Sequence, residues 1–165
     1  MDQAQIRGIA RAKELLKLVR HAAMATVNED GSPHNTPFMF LRAPDLSRVY
    51  WGSHPESVHS RNVLRTGQAF IVLYDAVERG GLFMRTDDIM LLEGAGLEAA
   101  LMVHNQARLA RGLDALTAGY YLGESPQRMW SATPRQWWVN GSRRDAQGHI
   151  ERDVRYEVQV RDLLE

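Results

Sequence analysis

Cysteine is absent from this 165-residue chain. That single gap excludes disulfides, thiolate zinc sites and thiol nucleophiles. Net charge is absent as well, because twenty basic and twenty acidic residues cancel. No overall field then draws the molecule to nucleic acid or to an anionic membrane, although a local anion pocket remains open. No stretch approaches the roughly 20 apolar residues that a bilayer-spanning helix needs. The N-terminal MDQAQIRGIARAKELLKLVRHAA mixes charged with apolar residues and holds no uninterrupted signal core. A cytoplasmic protein without a membrane partner is expected. Also missing are repeats, low-complexity tracts and the Gly-x-Ser-x-Gly turn of serine hydrolases. The glycine pair of GAG, residues 94–96, lacks the rest of a dinucleotide fingerprint and reads as close packing or a bulge in a strand. The histidines show no ligand spacing: His54 and His59 are five apart, about 140° round a helix, so no metal is expected.

What is present suffices for one domain over residues 1–165, with 44% hydrophobic residues to build a core. Ile6, Ile9, Ala10, Leu16 and their neighbours recur three or four apart and predict an amphipathic helix over residues 3–20. Its basic outer face could meet a membrane, but a solvated face is the commoner use. AMATV at 23–27, the turn NEDGS at 28–32 and NTPFMFL at 35–41 read as a strand hairpin. Pro37 predicts an edge, bulge or bend there. Further strands are expected at 49–52, 68–74, 89–96, 136–140 and 155–160. A loop is expected at 75–87, a helix at 98–111 and a turn-rich link at 120–127. Short strands with helices at the margins predict a mainly β protein with flanking helices, a small closed or half-closed barrel.

The segment SHPESVHSRN, residues 53–62, is unusually polar for a helix that follows a strand. Ser53-His54-Pro55-Glu56 reads as a capping box, and Gly67 as a left-handed stop. Ser60, Val63 and Leu64 would pack inward, while Glu56, His59 and Asn62 would share another face. A helix start offers free N–H groups and a positive dipole end, so it suits an anion. A simple cap with solvated His59 is the competing account.

The order ATVNEDGSPHNTPFMFL, VYWGS, SVHSRNVLRTGQAFIVLYD resembles the FMN-binding split barrel of the pyridoxamine 5′-phosphate oxidase-like family, over about residues 20–75 and more loosely at ATPRQWWVN, residues 132–140. The resemblance implies a split β-barrel with an N-terminal helix, a homodimer, and FMN sites shared between subunits. It also implies an FMN-dependent oxidoreductase acting on a small-molecule substrate. Thr36, Pro37, Phe38 and Met39 would lie along the flavin through backbone groups, and Phe38 and Trp51 would help wall the ring. Gly52 and Ser53 match the family's small or hydroxyl pair. Ser53, Ser57, His59 and Asn62 would hold the phosphate, and Trp137 or Trp138 would approach the flavin from the partner chain. Alternation along a strand allows only one of those two tryptophans to face the ring.

The sequence departs from the family pattern in places. Thr36 and Val58 stand where the oxidases carry arginine, and His59 where they carry lysine. GSRRDAQGHIERDVRYEV lacks the arginine–x–histidine arrangement that holds substrate phosphate, which points away from the vitamin-forming oxidase itself. No catalytic acid or base is nominated. The rival readings are a flavin, haem or deazaflavin carrier without turnover, and a nucleic-acid barrel stacking bases on Tyr50, Trp51 and Phe70, which the balanced charge disfavours.

Overall fold

The computed structural model describes residues 1–78 and 80–164. Arg79, in the loop expected over 75–87, and Glu165 lie outside them. Asp2 caps helix α1 (Gln3–Leu18) by accepting from the Gln5 N–H, and Ile9, Ala12 and Leu15 form its buried stripe. The sheet is built from β1 (His21–Val27), β2 (Pro33–Met39), β3 (Leu41–Arg42), β4 (Val49–Ser53), β5 (Ala69–Tyr74), β6 (Gly81–Leu91), β7 (Arg128–Arg144) and β8 (Ile150–Val158). Helix α2 (Val58–Thr66) lies between β4 and β5, α3 (Gly94–Leu109) and a 3-10 turn at Ala118–Tyr120 between β6 and β7, and α4 (Val160–Leu164) ends the fold.

All pairings are antiparallel, in the order β2-β1-β5-β6-β7-β4-β3. The hydrogen-bonded sheet is therefore open, yet its two end strands are consecutive in sequence and joined through Phe40 alone. Beyond β6, β7 uses its other edge twice. Arg128 to Ala132 pair with β4, and Trp137 to Arg144 pair with β8. The sheet splits there, giving the mainly β split-barrel architecture that the sequence predicts. Pro37 sits in β2, an end strand, as its chemistry requires.

Inside, Trp51 stacks on Trp130 with centroids 6.2 Å apart and planes 8° apart, and Phe38 meets Trp51 edge-on at 6.0 Å. Met24, Ile71, Leu82, Met84 and Val139 complete this core. A smaller core under α3 holds Leu97, Ala100, Leu101, Tyr50 and Tyr121.

Several expected boundaries move. Residues 81–87 are strand rather than loop, with Leu82, Met84 and Thr86 buried and Arg85 exposed; Gly80 precedes β6 and Gly81 is its first residue. Gly94-Ala-Gly96 opens α3 instead of continuing a strand, so that helix runs from Gly94 to Leu109 rather than from 98 to 111. β7 is 17 residues long and carries Pro134 beside a bulge: Thr86 pairs with Pro134 and Arg85 with Gln136, which leaves Arg135 as the extra residue. β8 likewise begins earlier than the expected 155. Among the described residues, no helix is long and apolar enough to cross a membrane.

Candidate functional site

The strand-to-helix link after β4 gathers most of the polar side chains. Ser53, the last residue of β4, is 7% exposed. Its Oγ lies 2.8 Å from His59 Nε2, 3.2 Å from Ser60 Oγ and 3.4 Å from Ser57 Oγ. Its carbonyl accepts from Trp130 Nε1 at 3.2 Å, which locks the strand end to the core.

The capping box is a correction. Residues 54–57 form a turn, where His54 Nδ1 accepts from the Glu56 N–H, and the helix begins at Val58. Glu56 therefore shares no helical face with His59 and Asn62. The cap position is Ser57, and its side chain makes no capping bond. The first-turn amides of α2 thus lack a side-chain acceptor, and the cap residue Ser57 belongs to the serine cluster, an arrangement suited to a phosphoryl group. Gly67 ends the helix in the left-handed region at φ +67, as expected.

His59 is half-buried, and that burial, followed by the nearby His34, holds its pKa below the ordinary histidine value. Near neutral pH it is an uncharged donor or acceptor. Ser60 packs inward as expected, fully buried, and its hydroxyl also joins the cluster. Leu64, expected inside, is 56% exposed. Asn62 is buried, but its amide hydrogens are engaged by Thr26 Oγ1 at 3.0 Å and Asn28 Oδ1 at 2.9 Å. It fastens α2 to β1 and leaves only a carbonyl oxygen, which repels an anion.

The second group of expected residues divides by strand alternation. Thr36 and Phe38 pair with Met24 and Ala22, whose side chains are buried in the barrel; Pro37 and Met39 take the opposite face. Phe38 and Trp51 are core residues, 7% and 0% exposed. The rings expected to wall a cofactor instead fill the interior, so contact near them falls to backbone and to Met39. Trp137 is buried with its Nε1 unpartnered, whereas Trp138 lies on the outer face beside Phe70, centroids 5.9 Å apart. Of the two, only Trp138 is placed to meet anything outside the barrel.

Met39 and Gly52 converge on one cavity, which brings the β2 segment and the end of β4 together. The sequence reading missed the couple at its wall: the Tyr121 hydroxyl lies 3.0 Å from His104 Nδ1. Burial pushes the Tyr121 pKa up to about 12 and lowers that of His104. A Cβ on Gly52 would stand 3.1 Å from Tyr121 Cε1, so glycine is what admits the ring. The available signal was His104 recurring seven residues after Leu97, on the apolar stripe of α3.

A sequence model of the family described as pyridoxamine 5′-phosphate oxidase matches residues 9–141. No curated protein matches the chain. Among solved structures, a haem binding protein from Mycobacterium smegmatis is 16% identical with TM-score 0.64, over 99% of this chain and 62% of that one. A pyridoxamine 5′-phosphate oxidase-related, FMN binding protein from Nostoc punctiforme is 17% identical with TM-score 0.55, over 96% and 98%. HutZ, the haem storage protein of Vibrio cholerae, is 18% identical with TM-score 0.57, over 79% and 92%. Likeness at these identities is likeness of fold.

Proposed function

The chain belongs to the pyridoxamine 5′-phosphate oxidase family, and from that premise we propose that it is an FMN-dependent oxidoreductase of a small molecule, working as a cytoplasmic homodimer. One observation carries the cofactor assignment: the uncapped first turn of α2 beside Ser53, Ser57, His59 and Ser60. In this reading those groups hold the ribityl phosphate and the backbone of Thr36 to Met39 lies along the ring. Bound flavin supplies hydride or electron transfer. The protein's part is to bind, orient and exclude water. The direct test is reconstitution with FMN, then anaerobic addition of reduced nicotinamide. A yellow protein whose absorbance bleaches supports the assignment, and a colourless one overturns it.

The cradle sets a pH dependence. A phosphate dianion beside His59 favours the imidazolium, so binding raises a pKa that burial holds low in the free protein. Affinity therefore grows as pH falls from 8 toward about 6, where the phosphate begins to take its own second proton. Titration should show several-fold tighter FMN binding at the lower pH, and His59→Gln should flatten the profile. A flat wild-type profile would remove His59 from the site.

The homodimer rests on the outer sheet face. Phe70, Val72, Phe83 and Trp138 occupy adjacent outward positions on β5, β6 and β7. Tyr74 at the same face is 56% exposed, and the Arg155 guanidinium lies 4.1 Å from the Phe83 ring centroid. An apolar face of this kind marks an association surface. Phe83→Asp should yield a monomer by light scattering and weaken FMN binding at least about tenfold, the scale of a central interface residue. A dimer that survives this change would place the interface elsewhere.

A second reading, a haem, flavin or deazaflavin carrier without turnover, draws on one feature. Among the described residues, the ionisable side chain bonded within the Ser53 cluster is His59, held neutral by burial. Phosphate affinity would then rest on neutral donors. Absorbance spectra after incubation with each cofactor separate the readings.

A further inference from the structure

The cavity shared by Met39 and Gly52 has a volume of about 190 Å³ and runs beneath the end of α3. Arg108 and Arg111 line it, and the lining contains neither a carboxylate nor a serine or threonine hydroxyl. Arg108 Nε donates to the Asp114 carbonyl at 2.6 Å; neither arginine has an acidic side-chain partner among the described residues. Basic residues at a helix C-terminus ordinarily just complement its dipole. Here they also face a cavity with a buried polar couple in its wall, since Tyr121 and His104 are 2% and 3% exposed.

We infer that this cavity binds a small organic carboxylate bearing a second hydrogen-bonding group, with the carboxylate at Arg108 and Arg111 and the second group at the Tyr121 hydroxyl. Two planar guanidinium forks match a planar carboxylate. A phosphate dianion fits less well, because α3 ends at Leu109 and its negative pole faces this side. The hydroxyl-and-amide cradle that suits a phosphoryl group is the separate one at Ser53. The Tyr121–His104 couple meets either kind of second group. With Nδ1 protonated, His104 donates to the tyrosine oxygen and frees its O–H for a carbonyl. With Nδ1 bare, tyrosine donates to it and its lone pair accepts from a hydroxyl. Because Met39 and Gly52 share the cavity, the carboxylate is the substrate class of the proposed reaction, an extension that rests on the flavin reading; the binding itself does not.

The test uses flavin-free protein and salicylate, with salicylamide, benzoate and inorganic phosphate as comparisons, followed by calorimetry or amide chemical shifts. Salicylate should bind in the millimolar range or tighter and salicylamide should not. Arg108→Gln with Arg111→Gln should weaken salicylate about tenfold or more, the scale of lost charge-assisted bonds. Tyr121→Phe should weaken salicylate but not benzoate. Absence of salicylate binding overturns the inference. So does equal binding of salicylamide, tighter binding of phosphate, an unaffected arginine double variant, or equal effects of Tyr121→Phe on both acids. If salicylate binds as described while FMN fails to bind, the flavin reading falls and this site stands. Where both bind, salicylate should shift the visible spectrum of the flavin, and an unshifted spectrum would separate the cavity from the redox site.

Discussion

Ser57→Asp should raise the melting temperature of the ligand-free protein and abolish FMN binding. The two effects have opposite signs because one position serves two purposes. Ser57 holds the cap position of α2 without making a capping bond. A carboxylate there can accept from the first-turn amides and oppose the dipole favourably, a gain of about 1 kcal/mol. For a chain of this size that is a rise of roughly 2–4 °C. The same carboxylate would stand where the phosphate is proposed to bind. Two like charges about 4 Å apart at an effective dielectric near 20 repel by about 4 kcal/mol, enough to cut affinity by about a thousandfold. Thermal unfolding without ligand and a flavin-fluorescence titration measure the two arms. Retained FMN affinity would put the phosphate away from α2.

Trp51→Ala should be the most destabilising of these changes, with little of its effect on the cofactor. The ring is fully buried, stacked on Trp130 and edge-on to Phe38. Truncating such a side chain costs about 3–5 kcal/mol. At roughly 2–4 °C per kcal/mol, the melting temperature falls by about 6–20 °C. Trp51→Phe retains much of the packing and also deletes an indole N–H that has no partner, so its loss should be clearly smaller. If Trp51→Phe instead changed the spectrum of bound FMN while leaving stability intact, the ring would be a cofactor wall after all, contrary to its position in the core.

Composition and periodicity went a long way toward the fold. The three-and-four spacing of Ile6, Ile9, Ala10 and Leu16 declares α1, although the buried stripe is Ile9, Ala12 and Leu15 and leaves Ile6 exposed; NEDGS declares the first turn, and Gly67 declares the end of α2. Strand limits were less legible. Gly80-Gly81 made the following alternation look like a loop, and Pro134 hid the first half of β7, because a bulge that tolerates proline exists only once β6 lies alongside. The start of α2 was misread for a similar reason. Ser53 is strand because it pairs with Arg128, a residue 75 positions later.

The candidate site divides along the same line. That hydroxyls, an imidazole and a helix start would cluster after Gly52 follows from residues close together in sequence, since a turn and one helical pitch bring Ser53, Ser57, His59 and Ser60 together. Which face each ring of β2, β4 and β7 presents depended on register, and one residue of register exchanges the two sides of a strand. That is how Trp51 and Trp137 came to fill the interior while Trp138 stayed outside. The Tyr121–His104 couple against Gly52 needed the barrel itself. Gly52 comes from a strand end, His104 from a helix and Tyr121 from a connecting turn, brought into contact by burial that no local pattern encodes.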